Sequence, residues 1–204
     1  MEKIDLKKKY STLYKAKVAK IDIVAVPKLT YLAADGHGDP NNSKQFQALT
    51  EALFSLSYTI KFMIKAGDQQ IDYGVMPLEG LWWTDDMGQF SMENKSLWKW
   101  TLMIMQPDFV TETIINEAKN QLSKKKKLTE LVNIRSEIME EGFCAQILHV
   151  GPYNTEPATI IKLHDYIKDN GYKLHGKHRE IYLNDMRRVS PEKLKTIIRQ
   201  PICK

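Results

Sequence analysis

The sequence predicts an α+β fold in which two β-α-β-β units form one antiparallel sheet, with helices on one face and a ligand cleft at the centre. The order strand, strand, glycine-rich loop, helix, strand occurs in residues 21–80 and again in residues 132–184. Residues 44–67 carry apolar side chains at three- and four-residue spacing, which is typical of an amphipathic helix. Residues 96–107 alternate instead, which is typical of a strand. Two such units are expected to pack side by side, and ligands commonly bind in clefts between packed halves.

The first unit is predicted to begin with strand residues on both sides of Pro27, which makes two short strands or one bent edge strand. The stretch DGHGDPNN is dense in turn-forming residues and is expected to be a loop. Ser43 is expected to cap the helix that follows, and Gly67 to end it. The stretch SLWKWTLMIMQP has one strongly apolar face and one mixed face, which suits a strand covered on both sides. A second helix is expected to start near Asp108.

The second unit is predicted as strand, turn and strand over residues 132–150. Its first part, LTELVNIRSEIMEEG, is also compatible with a helix by composition. Thr155 is expected to cap the third helix and Gly171 to end it. The stretch KHREIYLNDM follows as a strand. The serine, proline and glutamate of SPEKLKTIIRQPI predict the start of a short helix, followed by a terminal segment.

Length and composition predict one globular domain with an N-terminal arm. The chain has 204 residues, of which 43% are hydrophobic and 27% charged, so it can bury a core. Residues 1–20 are expected to be a loosely attached arm, and residues 21–204 a single domain built of two repeats, about 21–122 and 128–204. No window is apolar enough to span a membrane, and no apolar core of a secretory signal follows the N-terminal charges. We therefore expect a cytoplasmic protein without membrane association; its oligomeric state is left open.

Composition also argues against metal sites and nucleic-acid binding. Cys144 and Cys203 are too few for a disulfide framework or a paired zinc pattern. His175 and His178 lie three positions apart but lack the further ligands of a metal site. We therefore expect no metal and no organic cofactor. The net charge is +5, yet no recognition signature accompanies the basic runs, so direct nucleic-acid binding is not expected.

The four tryptophans lie within nineteen positions of one another, which indicates either a packed core or a wall for a flat aromatic ligand. Trp82 and Trp83 are adjacent, so in an extended segment they face opposite ways, and at least one is expected to line the cleft. Trp98 is a further ligand-binding candidate, although core filling is the alternative for it and for Trp100. Glu79 could bind a polar ligand group or accept hydrogen bonds from the backbone of its own turn.

Glu180 is the leading candidate for a catalytic carboxylate. In the strand HREIYLND, Glu180 and Tyr182 alternate onto one side, and Ile181 and Leu183 onto the other. If Ile181 and Leu183 face the helices, Glu180 and Tyr182 face the cleft. A carboxylate inside an aromatic cleft is costly unless it pairs with a cationic ligand or acts as a general base on water. The alternative is a solvated strand glutamate paired with a neighbouring cation.

Tyrosines supply the remaining candidates. Tyr153 follows Gly151 and Pro152 at the tip of the strand before the third helix. Its hydroxyl could stabilise a developing oxyanion or position water, with ordinary turn packing as the alternative. Tyr182 and Tyr31 are weaker ligand-binding candidates, because the sheet face that each occupies is also compatible with core.

Three stretches together resemble the GyrI-like small-molecule-binding family: LHVGPYNTEPATI, GKHREIYLNDMRRVSPEKLKTIIRQPI and MPLEGLWW. The resemblance runs from about Val24 to Ile202. It implies the duplicated β-α-β-β unit with a central cleft, an architecture similar to SOUL-like proteins, and it places the family's pocket glutamate at Glu180. Because no helix-turn-helix segment precedes the domain, the chain resembles the stand-alone branch. That branch includes hydrolases that open the cyclopropyl ring of DNA-alkylating natural products.

The resemblance and the pocket residues together predict a metal-free hydrolase with a role in detoxification and drug resistance. Water activated by Glu180 would attack the strained ring carbon, while Tyr153 or Tyr182 would hydrogen-bond the conjugated carbonyl. Aromatic or cationic small molecules are the expected partners. Two alternatives are a non-catalytic cleft that senses or sequesters cationic drugs, and a protein-binding inhibitor similar to the family's inhibitor of DNA gyrase.

Overall fold

The structure, a computed structural model, describes residues 1–86 and 94–204. The helices are α1 (Leu6–Lys9), α2 (Ser11–Tyr14), α3 (Lys44–Ala66), α4 (Glu112–Lys125) and α5 (Glu156–Asp169). The strands are β1 (Glu2–Ile4), β2 (Asp22–Val26), β3 (Leu29–His37), β4 (Ile71–Tyr73), β5 (Leu78–Trp83), β6 (Lys99–Gln106), β7 (Arg135–Met139), β8 (Gly142–Val150), β9 (Lys173–Leu174), β10 (His178–Tyr182) and β11 (Lys195–Cys203). Within these residues, no helix is both long enough and apolar enough to cross a membrane.

These elements form one α+β unit, and its main sheet has nine strands among the described residues. Its order is β2-β8-β11-β10-β5-β6-β3-β7, and β9 pairs with the end of β11. All pairings within this sheet are antiparallel. The α+β class and the antiparallel sheet predicted from the sequence are therefore confirmed.

The first strands of the two halves are exchanged. β2 pairs with β8, and β7 pairs with β3, so each half contributes a strand to the other half's sheet. Val26 lies opposite Gly142 and Leu29 opposite Met139. The register therefore continues across a two-residue bend in each of the two paired segments. Because β2 and β3 are consecutive but lie near opposite ends of the sheet order, the sheet curls until its ends meet. The repeat bounds 21–122 and 128–204 stay a prediction.

The curled sheet has two different faces. Arg179 on β10 hydrogen-bonds Tyr31 on β3, which lies three places away in the strand order, so the sheet curls around this side, the inner face. Helix α3 packs on β3 and β6, and α5 packs on β8 and β11. Both helices lie on the opposite side, the helix face, because Phe46 of α3 stacks on Trp82 and Leu163 of α5 packs with apolar residues of β8 and β11. We refer to the strip of the helix face over β5 and β10, between the strands that α3 and α5 cover, as the central cleft.

Local signals explain where most helices begin and end. The Ser43 hydroxyl accepts a hydrogen bond from the Phe46 amide at 3.1 Å, and α3 stops at Gly67, both as predicted. Helix α4 begins later than expected, because Thr111 rather than Asp108 provides the cap. Thr155 is the N-cap residue of α5, as predicted, but its side chain bonds no helix amide; its hydroxyl donates instead to the Pro152 carbonyl at 2.7 Å.

Two stretches differ from the secondary structure that the sequence predicts. Residues 35–37 belong to β3 and not to a loop. Gly36 explains this, because a Cβ at that position would lie 2.0 Å from the Trp100 ring, and only glycine lets the indole lie against the strand. Beyond a short 3₁₀ turn at Pro191–Lys193, the C-terminal segment is β11, which lies between β8 and β10.

The N-terminal residues are docked on the inner face, so the expectation of a loosely attached arm is wrong. β1 pairs in parallel with β4, and the side chains of Leu6, Leu13 and Tyr14 are buried. The Tyr14 hydroxyl donates to Glu79 Oε1 at 2.6 Å, and Arg199 donates to the Leu13 carbonyl. These apolar side chains cover a side of the sheet that α3 and α5 leave uncovered.

We expect Tyr14→Phe to lower the free energy of unfolding by about 1–3 kcal/mol, because a buried carboxylate loses a hydrogen bond. The urea midpoint at unchanged slope measures this effect. The control is Tyr58→Phe, since Tyr58 is 47% exposed; its expected change is within about 0.5 kcal/mol. Equal midpoints for the two variants would show that the docked segment does not depend on this bond.

Candidate functional site

Glu180 lies on the floor of the central cleft. It is directly opposite Gly80 on β5, and residues directly opposite each other in a sheet share a face. Glu180 therefore shares the helix face with Trp82, while Ile181 points to the inner face. The expectation that Ile181 faces the helices is wrong, because both helices cover the side that carries Glu180. Tyr182 lies on the same face as Glu180, as the alternation predicts.

Two neighbours on its own strand bind the Glu180 carboxylate. The Tyr182 hydroxyl donates to Oε2 at 2.6 Å, and His178 Nε2 lies 3.2 Å from Oε1. Burial and the charge of Glu180 raise the pKa of Tyr182 well above its ordinary value, so this hydroxyl stays a donor. Each carboxylate oxygen has a second lone pair, so Glu180 can still accept a proton or a hydrogen bond from water.

A second carboxylate, Glu156, lies near the first. It is the first residue of α5, is 2% exposed, and its Oε1 has no hydrogen-bond partner among the described residues. Burial and the negative charge of Glu180 raise the pKa of Glu156 to about 9, while the Thr196 hydroxyl offsets part of the shift. Glu156 is therefore protonated at neutral pH. A protonated carboxylic acid beside a carboxylate is an arrangement suited to acid–base chemistry.

Tyr153 joins this group from the turn that precedes α5. Its ring meets the Tyr182 ring edge-on, with centroids 5.7 Å apart. Burial, followed by the charges of Glu156 and Glu180, raises the pKa of Tyr153 to about 12, so its hydroxyl also stays protonated. His149 holds the turn in place, because its Nε2 lies 3.1 Å from the Thr155 hydroxyl.

Aromatic rings form the α3 side of the cleft. Trp82 stacks on Phe46 with centroids 6.2 Å apart, and Trp98 meets Trp82 edge-on at 5.5 Å. Trp82 and Trp98, predicted as ligand-binding residues, are thus brought onto the face that carries Glu180. The alternative reading of Trp100 as core is consistent with its complete burial.

Three other predicted ligand-binding residues lie on the inner face, away from Glu180. Glu79 is fully buried and accepts from Arg179 at 2.9 Å. The Tyr31 hydroxyl accepts from Arg179 at 3.0 Å. Trp83 faces the inner side as well, with Lys177 Nζ 3.4 Å from its ring centroid. Because the sheet separates all three from the central cleft, the structure gives them packing and ion-pair roles there and does not group them with Glu180.

The inner face also has a recess of about 320 Å³. Its lining residues come from four parts of the chain: Leu81, Met139, Glu140, Glu141, His175, Gly176, Lys177, Arg179 and Pro201. Two of the charged groups here pair with each other, since Arg179 Nε lies 3.1 Å from Glu141 Oε1. The described residues contain no group of three or more acidic, histidine or cysteine side chains arranged to hold a metal ion.

Sequence reasoning missed two residues of the cleft, Glu156 and His178. His178 is two positions before Glu180, so strand alternation alone could have placed it on the same face. Glu156 has a weaker signal, namely a glutamate followed by Pro157 at the start of a helix. Its proximity to Glu180 depends on how α5 packs on the sheet, which no local pattern reveals.

A curled antiparallel sheet with two helices flanking a cleft of aromatic rings and carboxylates defines an α+β small-molecule-binding domain. The chain belongs to the GyrI-like small molecule binding domain family, which matches residues 19–202. No curated protein sequence matches the chain.

Solved structures support this family assignment. An uncharacterised conserved protein from Listeria innocua is 36% identical, with a TM-score of 0.91 over 98% of this chain and 100% of that one. A protein described as a hydrolase from the same organism is 37% identical, with a TM-score of 0.88 over 99% and 100% of the two chains. The C-terminal domain of EcmrR shares the fold at 16% identity and a TM-score of 0.56, covering 91% and 98%.

We expect Glu156→Gln to stabilise the protein at neutral and alkaline pH. The unfolded chain releases this proton near pH 4.5, whereas the folded protein keeps it up to about 9, so the folded state binds the extra proton in between. Stability of the unmodified protein therefore falls as pH rises through that window, and glutamine removes the loss. At pH 8 the variant should gain at least about 1 kcal/mol, or about 2–4 °C in Tm.

Thermal unfolding of both proteins between pH 4 and pH 8 measures the difference, which should vanish at the acid end. Glu112→Gln is the matched control, because Glu112 is also the first residue of a helix but is exposed. A pH-independent Tm difference for Glu156→Gln would contradict the raised pKa of Glu156.

Proposed function

We propose that this protein binds flat aromatic small molecules in the central cleft and hydrolyses a strained cyclopropyl ring in them. The observation that carries the proposal is the pair Glu156 and Glu180, two buried carboxyl groups on the helix face beside Tyr153 and Tyr182. Such a pair supplies a base and an acid at one pH without a metal. The resemblance to Listeria proteins described as hydrolases favours hydrolysis over binding alone.

In the proposed reaction Glu180 takes a proton from water as the water oxygen attacks a ring carbon. The carbon–carbon bond to that atom breaks, and its electron pair moves into the ligand's conjugated carbonyl. The carbonyl oxygen then receives a proton, so the product is the ligand plus one water. Protonated Glu156 or Tyr153 donates to the oxygen as its negative charge develops.

The rings around the floor give the cleft its ligand preference. Trp82 and Trp98 form one side, and Tyr153 and Tyr182 meet edge-on beside the carboxylates. Flat aromatic molecules fit between such walls because ring contacts add to the gain from apolar burial.

The same proposal includes three further expectations. The protein would protect the cell against DNA-alkylating compounds, lie in the cytoplasm and not bind nucleic acid directly.

A non-catalytic cleft for cationic drugs is the second candidate function. It is favoured by one observation, the Glu180 carboxylate among aromatic rings with only 9% of the residue exposed. Aromatic faces and a buried carboxylate both attract organic cations. In this case the ligand would be recovered unchanged.

Incubation with a cyclopropane-bearing DNA alkylator, followed by mass spectrometry, tests the proposal. We expect a product heavier by one water, and a loss of at least about 100-fold in rate for Glu180→Gln because general-base catalysis contributes that much. The control is Glu137→Gln, another strand glutamate, which lies on β7 beside Arg135. Its rate should be unchanged.

Three results would contradict the proposed hydrolysis or the role of Glu180 in it. Full turnover by Glu180→Gln would remove the base role from that residue. Unchanged alkylator together with quenched tryptophan fluorescence would establish the binding function instead. Unchanged alkylator without quenching would contradict both functions for this class of ligand.

A further inference from the structure

The indole N–H of Trp82 is a buried hydrogen-bond donor that meets no acceptor in the part of the chain that the structure describes. Trp82 is 2% exposed, and its Nε1 has no partner within residues 1–86 and 94–204. Buried donors in native proteins are nearly always paired, so this one points to an acceptor from outside the described residues, and a bound ligand would supply one. Trp100, which also lies on the helix face, shows the ordinary situation, because its Nε1 donates to the Gly38 carbonyl at 3.2 Å.

Packing holds the Trp82 ring in one orientation. One contact is the stacked Phe46 ring, tilted by 24° and 6.2 Å away, and another is the Trp98 ring, which meets it at 61° and 5.5 Å. With these neighbours in place, the ring has little freedom to turn its N–H towards a different partner. The polar edge of Trp82 is therefore the part of the side chain whose interaction is still missing.

The N–H edge lies over Gly80, next to Glu180. A Cβ at position 80 would be 2.7 Å from Trp82 Nε1, so any side chain there would displace the indole. Gly80 is directly opposite Glu180 across the β5–β10 pair. Because Cβ positions at such opposed sites are about 4.5–5.5 Å apart, the N–H and the carboxylate flank the same patch of the cleft floor.

We propose that the Trp82 N–H donates to a carbonyl oxygen of the bound ligand, and that the cleft thereby selects flat aromatic ligands with a carbonyl conjugated to the ring system. This inference rests on the proposed function and narrows its substrate class. As the cyclopropyl ring opens, the conjugated carbonyl oxygen gains negative charge, and a fixed donor at that atom stabilises the charge. A flat cation without an acceptor leaves the N–H unpaired and binds less well.

Matched ligands that differ by one acceptor test the selection. 9-Fluorenone and fluorene have the same flat three-ring shape, and N-methylacridinium is a flat cation without a carbonyl. We expect fluorenone to bind about 5- to 100-fold more tightly than fluorene, because only fluorenone pairs the buried donor. N-Methylacridinium should bind more weakly than fluorenone. Quenching of tryptophan fluorescence measures all three affinities.

The Trp82→Phe variant removes the donor and keeps an aromatic ring. It should bring the fluorenone-to-fluorene affinity ratio to within about twofold of one, because the difference arises from the single N–H bond. Trp83→Phe is the control, since Trp83 lies on the inner face, across the sheet from the cleft, and its replacement should leave the preference for fluorenone intact.

A measurement on the unaltered protein covers the case in which Trp82→Phe fails to fold. With ¹⁵N-labelled tryptophan, fluorenone should move the Trp82 indole proton signal downfield, whereas fluorene should not. The Trp100 signal is an internal reference, because that N–H is already bonded. A ratio near one, an unmoved Trp82 signal, or tighter binding of the cation would each overturn the inference, as would no binding of any probe.

These outcomes are separable from failure of the proposed function. Preferred binding of fluorenone with a shifted Trp82 signal, but no hydrolysis of an alkylator, would support the donor role and contradict the hydrolase. Hydrolysis of the alkylator with an unmoved Trp82 signal would support the hydrolase and contradict the donor role of Trp82.

Discussion

The buried ion pair between Arg179 and Glu79 is the interaction on which the rest of the structure depends. Arg179 is fully buried and also contacts Tyr31 on β3 and Glu141 beyond β7, while Glu79 holds Tyr14 of the N-terminal segment. The pair connects the middle of the sheet to its curled end. Buried ion pairs often add little net stability, but breaking one is costly. A one-residue slip of β10 would turn Arg179 to the other face and break the pair, so the pair opposes that slip.

The same alternation separates the charges of the two faces. Arg179 and Arg199 are directly opposite each other and both point to the inner face, where carboxylates and carbonyl groups bind them. Neither guanidinium therefore lies on the helix face beside Glu180 and Glu156. This separation is one reason why burial and a neighbouring negative charge can raise the pKa of Glu156 to about 9. The arginines thus fix the strand that carries Glu180 without neutralising the site.

Local patterns in the sequence predict much of the fold and less of the site. The cap at Ser43, the bend at Pro27 and the alternation of β10 are local, so they could be predicted. The strand β11 was missed because a serine–proline–glutamate start resembles a helix start, and only its neighbours β8 and β10 make it a central strand. For Glu180 the alternation identifies its companion Tyr182, but not which face the helices cover. That choice depends on packing between residues distant in sequence, as does the position of Glu156.

The candidate site contains two of the buried polar atoms that have no hydrogen-bond partner among the described residues. Glu156 Oε1 and Trp82 Nε1 are buried without hydrogen-bond partners among the described residues, and both belong to elements that line the cleft. Each such group destabilises the folded chain, because its hydration is lost without a replacement. The inner face also has such atoms, Glu141 Oε2 among them, although both Glu79 oxygens are bonded, to Tyr14 and Arg179. A ligand with one acceptor for the indole and a second group for the Glu156 carboxyl would satisfy both atoms at once. Because ligand groups would replace the missing bonds, its binding would be coupled to the stability of α5 and β5.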